Sequence, residues 1–359
     1  MSEFDQYIHE TEPGRKEKAR AWQTAIGLQD VDGLKVSEYL IENARKHIEG
    51  EITIDDVRRD LKEYYDTKTA HDNESAEQEE ADRVASNIVK LLCEQTFSFT
   101  LAGLMAVHRR VFEGVFKFAG QIRDVNITKK ERVLDGDTVL YVSADDIRQT
   151  IEYDLAREKE VDYTKLDINA AINQLAKFTS GLWQIHPFRE GNTRTTAVFI
   201  IKYLRTMGFN VTNDLFAEKS WYFRNALVRA NYQNVPKGIA TDSSFLIRFF
   251  RTLILGEQNE LHNRDMHISK VSSQSDKEEV SKSQIGTLDC ALEELSVLKC
   301  IEENPKITQA ALAIAIRKSE RTVKRITAAL VDRGILIRIN GRRNGWWQIN
   351  HTDGMKAGN

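Results

Sequence analysis

Apolar positions recur every three to four residues over most of this chain, the period of helices with one buried face. Val84, Ile88, Leu91 and Leu92 form one such stripe, and Leu101, Leu104, Val107 and Val111 form another. The same spacing predicts N-terminal helices beginning near Glu17, Val36 and Ile52, the last capped by Thr53. Two short runs break the period: Val125-Asn126-Ile127 and Val139-Leu140-Tyr141-Val142 alternate as strands do, with Asp135-Gly136-Asp137 as a turn between them. They predict a β-hairpin inserted among helices. Residues 67–80 are polar, acidic and aperiodic, which predicts a loop. Residues 257–284 hold six serines and few large apolar groups, which predicts a linker. Beyond it, Ile307–Ile316 and Glu320–Asp332 read as helices around a Lys318-Ser319 turn. Ile335–Ile339 and Gly345–Ile349 read as strands around Asn340-Gly341. The division is then a helical N-terminal segment (1–80), a helical core (81–256), the linker (257–284), a small C-terminal module (285–350) and a tail (351–359). The fold class is mainly α.

A length of 359 residues suits about two domains. With 41% hydrophobic residues and a formal net charge of -3, the chain can build cores and gives no whole-chain argument for nucleic acid or membrane. No apolar run approaches the ~20 residues of a membrane span, and the acidic start Met1-Ser2-Glu3-Phe4-Asp5 is unlike a secretory signal. Cys93, Cys290 and Cys300 lack metal-like spacing, which fits a reducing cytoplasm. The charge is uneven, however. Residues 301–350 carry ten Lys/Arg against four Asp/Glu.

The most specific chemistry lies in His186-Pro187-Phe188-Arg189-Glu190-Gly191-Asn192-Thr193-Arg194. The run from Thr195 to Leu204 reads as a helix, so the glycine and asparagine stand at its N-terminus. Backbone N–H groups there have no intrahelical partner, and with the helix dipole they favour an anion such as phosphate. An imidazole, with its ordinary pKa near ~6.5, is a suitable proton acceptor. One carboxylate suffices for Mg²⁺ when phosphate oxygens and water complete the shell. Together these groups point to phosphoryl or nucleotidyl transfer.

This stretch resembles the signature of the Fic (Fido) family, His-x-Phe-x-(Asp/Glu)-Gly-Asn-(Gly/Lys)-Arg-x-x-Arg. His186, Phe188, Glu190, Gly191, Asn192 and Arg194 match, whereas Thr193 replaces the small or basic residue and Ala197 replaces the last arginine. Phe118-Ala119-Gly120-Gln121-Ile122-Arg123, running on to Ile127, is similar to the family's approach to its substrate-binding hairpin. The resemblance implies a Fic helical core with His186 as catalytic base and Glu190 as the Mg²⁺ ligand. Nucleotide binding then falls to Arg189, Glu190, Gly191, Asn192, Thr193 and Arg194, with Asn192 on the α-phosphate and Arg194 toward the β-phosphate. Phe188 is expected to pack. Tyr222 and Asn225 fall on the family's nucleobase-side helix, core packing being the alternative. Val133 and Leu134, near the hairpin tip, would dock a target by strand addition or simply pack. With Ala197 the γ-phosphate contact of the second arginine is missing, so Arg224, Arg229 or Lys202 replaces it, binding weakens, or the nucleotide changes. Asp32-Gly33 is the counterpart of the family's inhibitory Glu-(Gly/Asn), with the hydroxyl residue lost and the acid one carbon shorter. Glu-type autoinhibition is therefore expected to be absent or rewired, the alternative being a plain helix-ending turn.

The C-terminal module resembles a winged helix-turn-helix. Arg321, Lys324 and Arg325 on its second helix, with Arg342 and Arg343 on the wing, are the DNA-binding candidates; a protein–protein role is the rival. The resemblances imply a cytoplasmic protein adenylyltransferase. It would move AMP from ATP, with Mg²⁺, to a Ser, Thr or Tyr hydroxyl of a protein target, self-modification included. A homodimer is compatible with this reading. Two alternatives stay open: a DNA-binding regulator whose core binds a nucleotide without efficient turnover, and a hydrolase that removes AMP.

Overall fold

The computed structural model describes residues 4–8, 12–67, 73–209, 214–268, 292–339 and 345–350. Five short or medium helices open the chain: α1 (Asp5–Ile8), α2 (Pro13–Gly27), α3 (Glu38–Glu49), α4 (Ile54–Thr67) and α5 (Asn73–Cys93). The 3-10 turn Leu28–Asp32 follows α2 and ends at Gly33 in the left-handed region. Then come α6 (Leu101–Val111), α7 (Ile147–Lys159), α8 (Ile168–Ile185), α9 (Asn192–Thr206), α10 (Asp214–Glu218), α11 (Ser220–Asn231) and α12 (Ser244–Leu255). The C-terminal module holds α13 (Leu292–Glu303), α14 (Gln309–Ala315), α15 (Glu320–Asp332), β1 (Leu336–Ile339) and β2 (Trp346–Ile349).

Local sequence explains where many of these helices start. Ser37, Thr100, Asp167, Thr308 and Ser319 each accept a first-turn backbone N–H with the side chain. Thr53 and Asp56 cap α4 reciprocally: the Thr53 hydroxyl accepts from the Asp56 N–H, and the Asp56 carboxylate accepts from the Thr53 N–H at 2.9 Å. The stripes read from the sequence are buried: Val84, Ile88, Leu91 and Leu92 on α5, and Leu104, Val107 and Val111 on α6.

One apolar core runs from Phe4, Trp22 and Tyr65 through Phe199, Phe223 and Phe249, so the N-terminal helices share it with α5–α12. The C-terminal module has its own core of Val297, Leu298, Ile301, Leu312, Val323, Ile326, Leu330, Leu336 and Trp347. Its two strands pair antiparallel, with Leu336 opposite Ile349 and Ile339 opposite Trp346.

Three expectations change. Residues 73–80 are helical, as the first two turns of α5; the stretch looks aperiodic because none of residues 75–80 is fully buried and its half-covered positions include Glu79 and Glu80, which pair with Arg83 and Arg194. The segment 124–142 doubles back but forms no β ladder. It is closed instead by the 3-10 turn Arg132–Leu134 and by single bonds such as Glu131 N–H to the Asp137 carbonyl at 2.9 Å. Finally, residues 257–268 pack on the core through Leu261, Met266 and Ile268 rather than forming a linker.

Candidate active site

Helix α8 ends at His186, which takes a left-handed backbone conformation with φ of 50°. Glycine usually fills such a seat, and a side chain there costs on the order of 1–3 kcal/mol, a kind of strain that gathers at functional sites. The turn leads into Pro187 and Phe188, then to Gly191 with φ of 75°, which opens α9. A Cβ at Gly191 would lie 2.1 Å from the Phe112 ring, so only glycine fits. Asn192 braces this loop from inside. It accepts from the Phe188 N–H at 2.9 Å and donates to the Phe188 carbonyl at 2.8 Å. No side chain caps the first turn of α9.

The loop is also held from α6. His108 accepts the Gly120 N–H at Nδ1 (2.7 Å), which places its proton on Nε2, 3.1 Å from the Glu190 carbonyl. Burial drops the His108 pKa to about 4, in keeping with this neutral form. The His108 ring stacks on Phe188, with centroids 3.7 Å apart, so Phe188 packs as expected.

His186 is 3% exposed, and neither ring nitrogen has a hydrogen-bond partner among the described residues. Tyr141 tilts against one face at 4.1 Å, and Trp183 meets the ring edge-on at 5.4 Å. Burial first, then the charges of Lys129, Arg123 and Arg224, holds its pKa well below the usual histidine value. That environment favours the uncharged imidazole, and its unpartnered ring nitrogens leave a lone pair free to receive a proton. Thr193 explains one departure from the signature, since its hydroxyl accepts the Trp183 indole N–H at 3.0 Å.

Glu190 is half-exposed and holds the Lys129 ammonium at 2.9 and 3.2 Å. Burial raises its pKa, but Lys129 and the Gly191 N–H outweigh that and leave it lowered. Arg189 is exposed and pairs with Asp124 at 2.6 Å.

Arg194 is 1% exposed and held by three side chains. Its Nη1 donates to Gln29 at 3.0 Å and its Nη2 to Glu80 at 2.9 Å. Its Nε lies 2.8 Å from an Asp32 oxygen, an ion contact rather than an aligned hydrogen bond. The Phe112 ring covers the guanidinium at 4.8 Å. Asp32-Gly33 thus does more than end a turn: its acid meets the arginine the signature retains.

Several expected site residues serve elsewhere. Ala197 is fully buried. Lys202 donates to the carbonyls of Leu91 and Glu94, and Arg224 pairs with buried Glu131 at 2.7 Å. Arg229 is buried, with Nε and Nη1 unpartnered. Val133 and Leu134 are buried at 1% exposure each, so in this conformation they pack and do not face a target. Tyr222 is a core residue whose hydroxyl donates to the Phe245 carbonyl, and Asn225 bonds Asn263 at 2.9 Å. Conversely, His108, Arg123, Tyr141, Gln29 and Glu80 belong to the site although the sequence reading assigns them no role. Arg123 lies within the Phe118–Ile127 run, and Gln29 sits one 3-10 turn before Asp32, so both carried a signal. Glu80 carried none.

In the C-terminal module Arg321, Lys324 and Arg325 are exposed on α15. Lys318 is turned away to Glu293 at 2.9 Å. Trp347 ties β2 to the start of α14 by donating to the carbonyls of Pro305 (N–H, 2.8 Å) and Ile307 (indole, 3.2 Å). Arg342 and Arg343 lie outside the described residues.

The loop between α8 and α9 thus joins an imidazole at a strained helix end, a half-exposed acid and an uncapped helix N-terminus. Residues 98–204 match the Fic/DOC family and residues 294–337 match the winged helix-turn-helix DNA-binding family, so the chain carries both domains. Among curated proteins it is similar to the protein adenylyltransferase VbhT of Bartonella schoenbuchensis, 30% identical over 116 residues, or 32% of this chain. The match spans only 23% of that relative's length. Among solved structures, a Fic family protein from Desulfovibrio desulfuricans G20 aligns over 98% of this chain and 91% of its own, at 12% identity and a TM-score of 0.46. Among the described residues no helix is long and apolar enough to cross a membrane, and no three His, Cys, Asp or Glu side chains converge on a common point.

Proposed function

We propose that this chain is a protein adenylyltransferase held in a closed state. The observation that carries this is the neutral, unpartnered imidazole of His186 at the left-handed end of α8, beside the uncapped N-terminus of α9. In the reaction a target hydroxyl gives its proton to the His186 ring while its oxygen attacks the α-phosphorus of ATP. The bond from that phosphorus to the bridging oxygen breaks, and pyrophosphate leaves. Catalysis is mainly positioning and charge stabilisation. The first-turn amides of α9 receive phosphate oxygens. Glu190 offers one hard carboxylate already gripping a cation, the Lys129 ammonium, and so fits Mg²⁺. Bound there, the metal would neutralise charge on the phosphates.

Closure has two parts. Tyr141 covers His186, and Gln29, Glu80 and Asp32 each lie against one nitrogen of Arg194, so a phosphate reaching those nitrogens competes with them. The same closure favours a second reading, a DNA-binding regulator whose core senses a nucleotide without efficient turnover. The test is to incubate the chain with ATP labelled at the α- or the γ-phosphate, in parent and Asp32→Ala forms, and to map the labelled residue by mass spectrometry. Transfer of the α label alone, abolished by His186→Ala, supports adenylyl transfer. Nucleotide binding with no transfer in either form supports the sensor and rejects the enzyme.

A further inference from the structure

We propose that Arg123 is a positioning residue that locks the 124–142 segment to the turn carrying His186, so that a polypeptide seated on that segment also sets the base. This rests on the reading of His186 as the base. The Arg123 guanidinium is buried and meets only main-chain carbonyls. Its Nε donates to His186 at 2.8 Å, its Nη1 to Val125 at 2.7 Å, and its Nη2 to Val142 and, at 3.4 Å, to Ile185. Its own N–H donates to the Pro187 carbonyl at 2.9 Å. Val125 and Val142 lie near the two ends of the segment, while Ile185, His186 and Pro187 form the catalytic turn.

A buried cation with no acid beside it is a poor choice for stability alone, because carbonyl dipoles offset only part of its desolvation. Here it supplies something an acid pair would not. The last carbonyls of α8 have no helical partner, and one planar fork satisfies them together with both ends of the segment. The other polar links between the two elements are exposed or half-buried: Gln184 to the Leu140 carbonyl, Asp124 to Arg189, and Lys129 to Glu190. Beside the ring contacts of Tyr141 with His186 and Trp183, Arg123 is the buried polar connection. Because neither ring nitrogen of His186 is tethered, the backbone of this turn and the rings of Tyr141 and Trp183 are what aim the imidazole.

The experiment compares the full chain with Arg123→Met and Arg123→Lys, all in the Asp32→Ala background, by hydrogen–deuterium exchange and by transfer from α-labelled ATP. In Arg123→Met, exchange should rise about tenfold or more in 124–142 and 184–188 together, with 292–339 unchanged. Transfer kcat should fall at least ~30-fold while the KM for ATP stays within about twofold, and Arg123→Lys should recover part of the loss. Exchange rising in one segment only, or kcat within about threefold of the parent, overturns the proposal. If Arg123→Met does not fold, Arg123→Lys decides: parent-like exchange and kcat overturn it, and a coupled partial loss supports it. If the parent transfers no label, the assignment of His186 as base fails. The exchange pattern then still decides whether the two elements are locked together.

Discussion

Surroundings that disfavour a charge on an imidazole extend its use as a base into acid. Burial and the nearby cations hold the His186 pKa well below 6.5 in the folded chain. A base works unprotonated, so kcat/KM should stay flat as pH falls from 8 through 6.5 and decline only at lower pH. Measured in the Asp32→Ala form, a decline centred at 6.5 would contradict this environment. Replacing Lys129 by Met should move the decline toward neutral pH. The grip on Arg194 is the other matter at this scale. Asp32 adds an ion contact to a guanidinium already bonded to Gln29 and Glu80. Removing the acid frees one face for phosphate and should tighten ATP binding about tenfold, near 1.4 kcal/mol, by calorimetry. Unchanged affinity would mean that Arg194 is not a phosphate contact.

Among the elements, the 124–142 segment does the most. Its Lys129 occupies the acid expected to hold a metal, so metal entry must displace the ammonium. A half-exposed ion pair is worth up to ~1 kcal/mol, so Lys129→Met should lower the Mg²⁺ concentration needed for half-maximal nucleotide binding about two- to fivefold. A higher requirement would show that Lys129 assists loading instead. How much of this was legible depended on what each element buries. The stripes of α5 and α6 fixed helices because one face of each meets the core, and the start of α4 was legible in its Thr53 cap. The segment 124–142 misled because its alternating apolar residues are buried as isolated plugs: Val133, Leu134 and Val139 enter the core, while Leu140 stays 78% exposed. No neighbouring strand completes a ladder. Glu80 was invisible because nothing local marks a helical acid as the partner of an arginine 114 residues away. The signature itself was fully legible, since its chemistry is contained in one turn. Which of its residues are engaged by the N-terminal helices was not.

At the scale of the whole molecule, three buried histidines set the response to acid, His186 among them with its value well below 6.5. His108 and His47 both have folded pKa values of about 4, each lowered by burial, with Lys18 adding to the effect at His47. The unfolded chain binds protons near 6.5 and the folded chain does not. Stability is therefore complete above 6.5 and falls as pH drops toward 4, by up to ~1.4 kcal/mol per pH unit for each histidine. Urea midpoints measured from pH 7 to 4 should show this slope. His47→Gln keeps an acceptor for the Trp22 N–H, which His47 takes at 3.0 Å, and should shallow the slope by one histidine's share. The C-terminal module answers to salt. If α15 lies against DNA, affinity should fall linearly in log salt, and alanine at Arg321, Lys324 or Arg325 should each reduce the slope by about 1. A salt-independent interaction would point to a protein partner.

The common core of the N-terminal helices and the catalytic helices has a last consequence. A restraint grafted on by a hinge can be shed by clipping or by melting its own small unit. Here the 3-10 turn bearing Asp32 is continuous with Trp22, Ala25 and Leu28, which pack in the same interior as Phe199 and Phe223. Severing or loosening that region would expose the interior of the core itself. If Asp32 restrains Arg194 as proposed, its release is a sub-domain adjustment of a few residues around Gly33, reversible and graded, and partial proteolysis of the N-terminus should yield an unfolded chain instead of an active one.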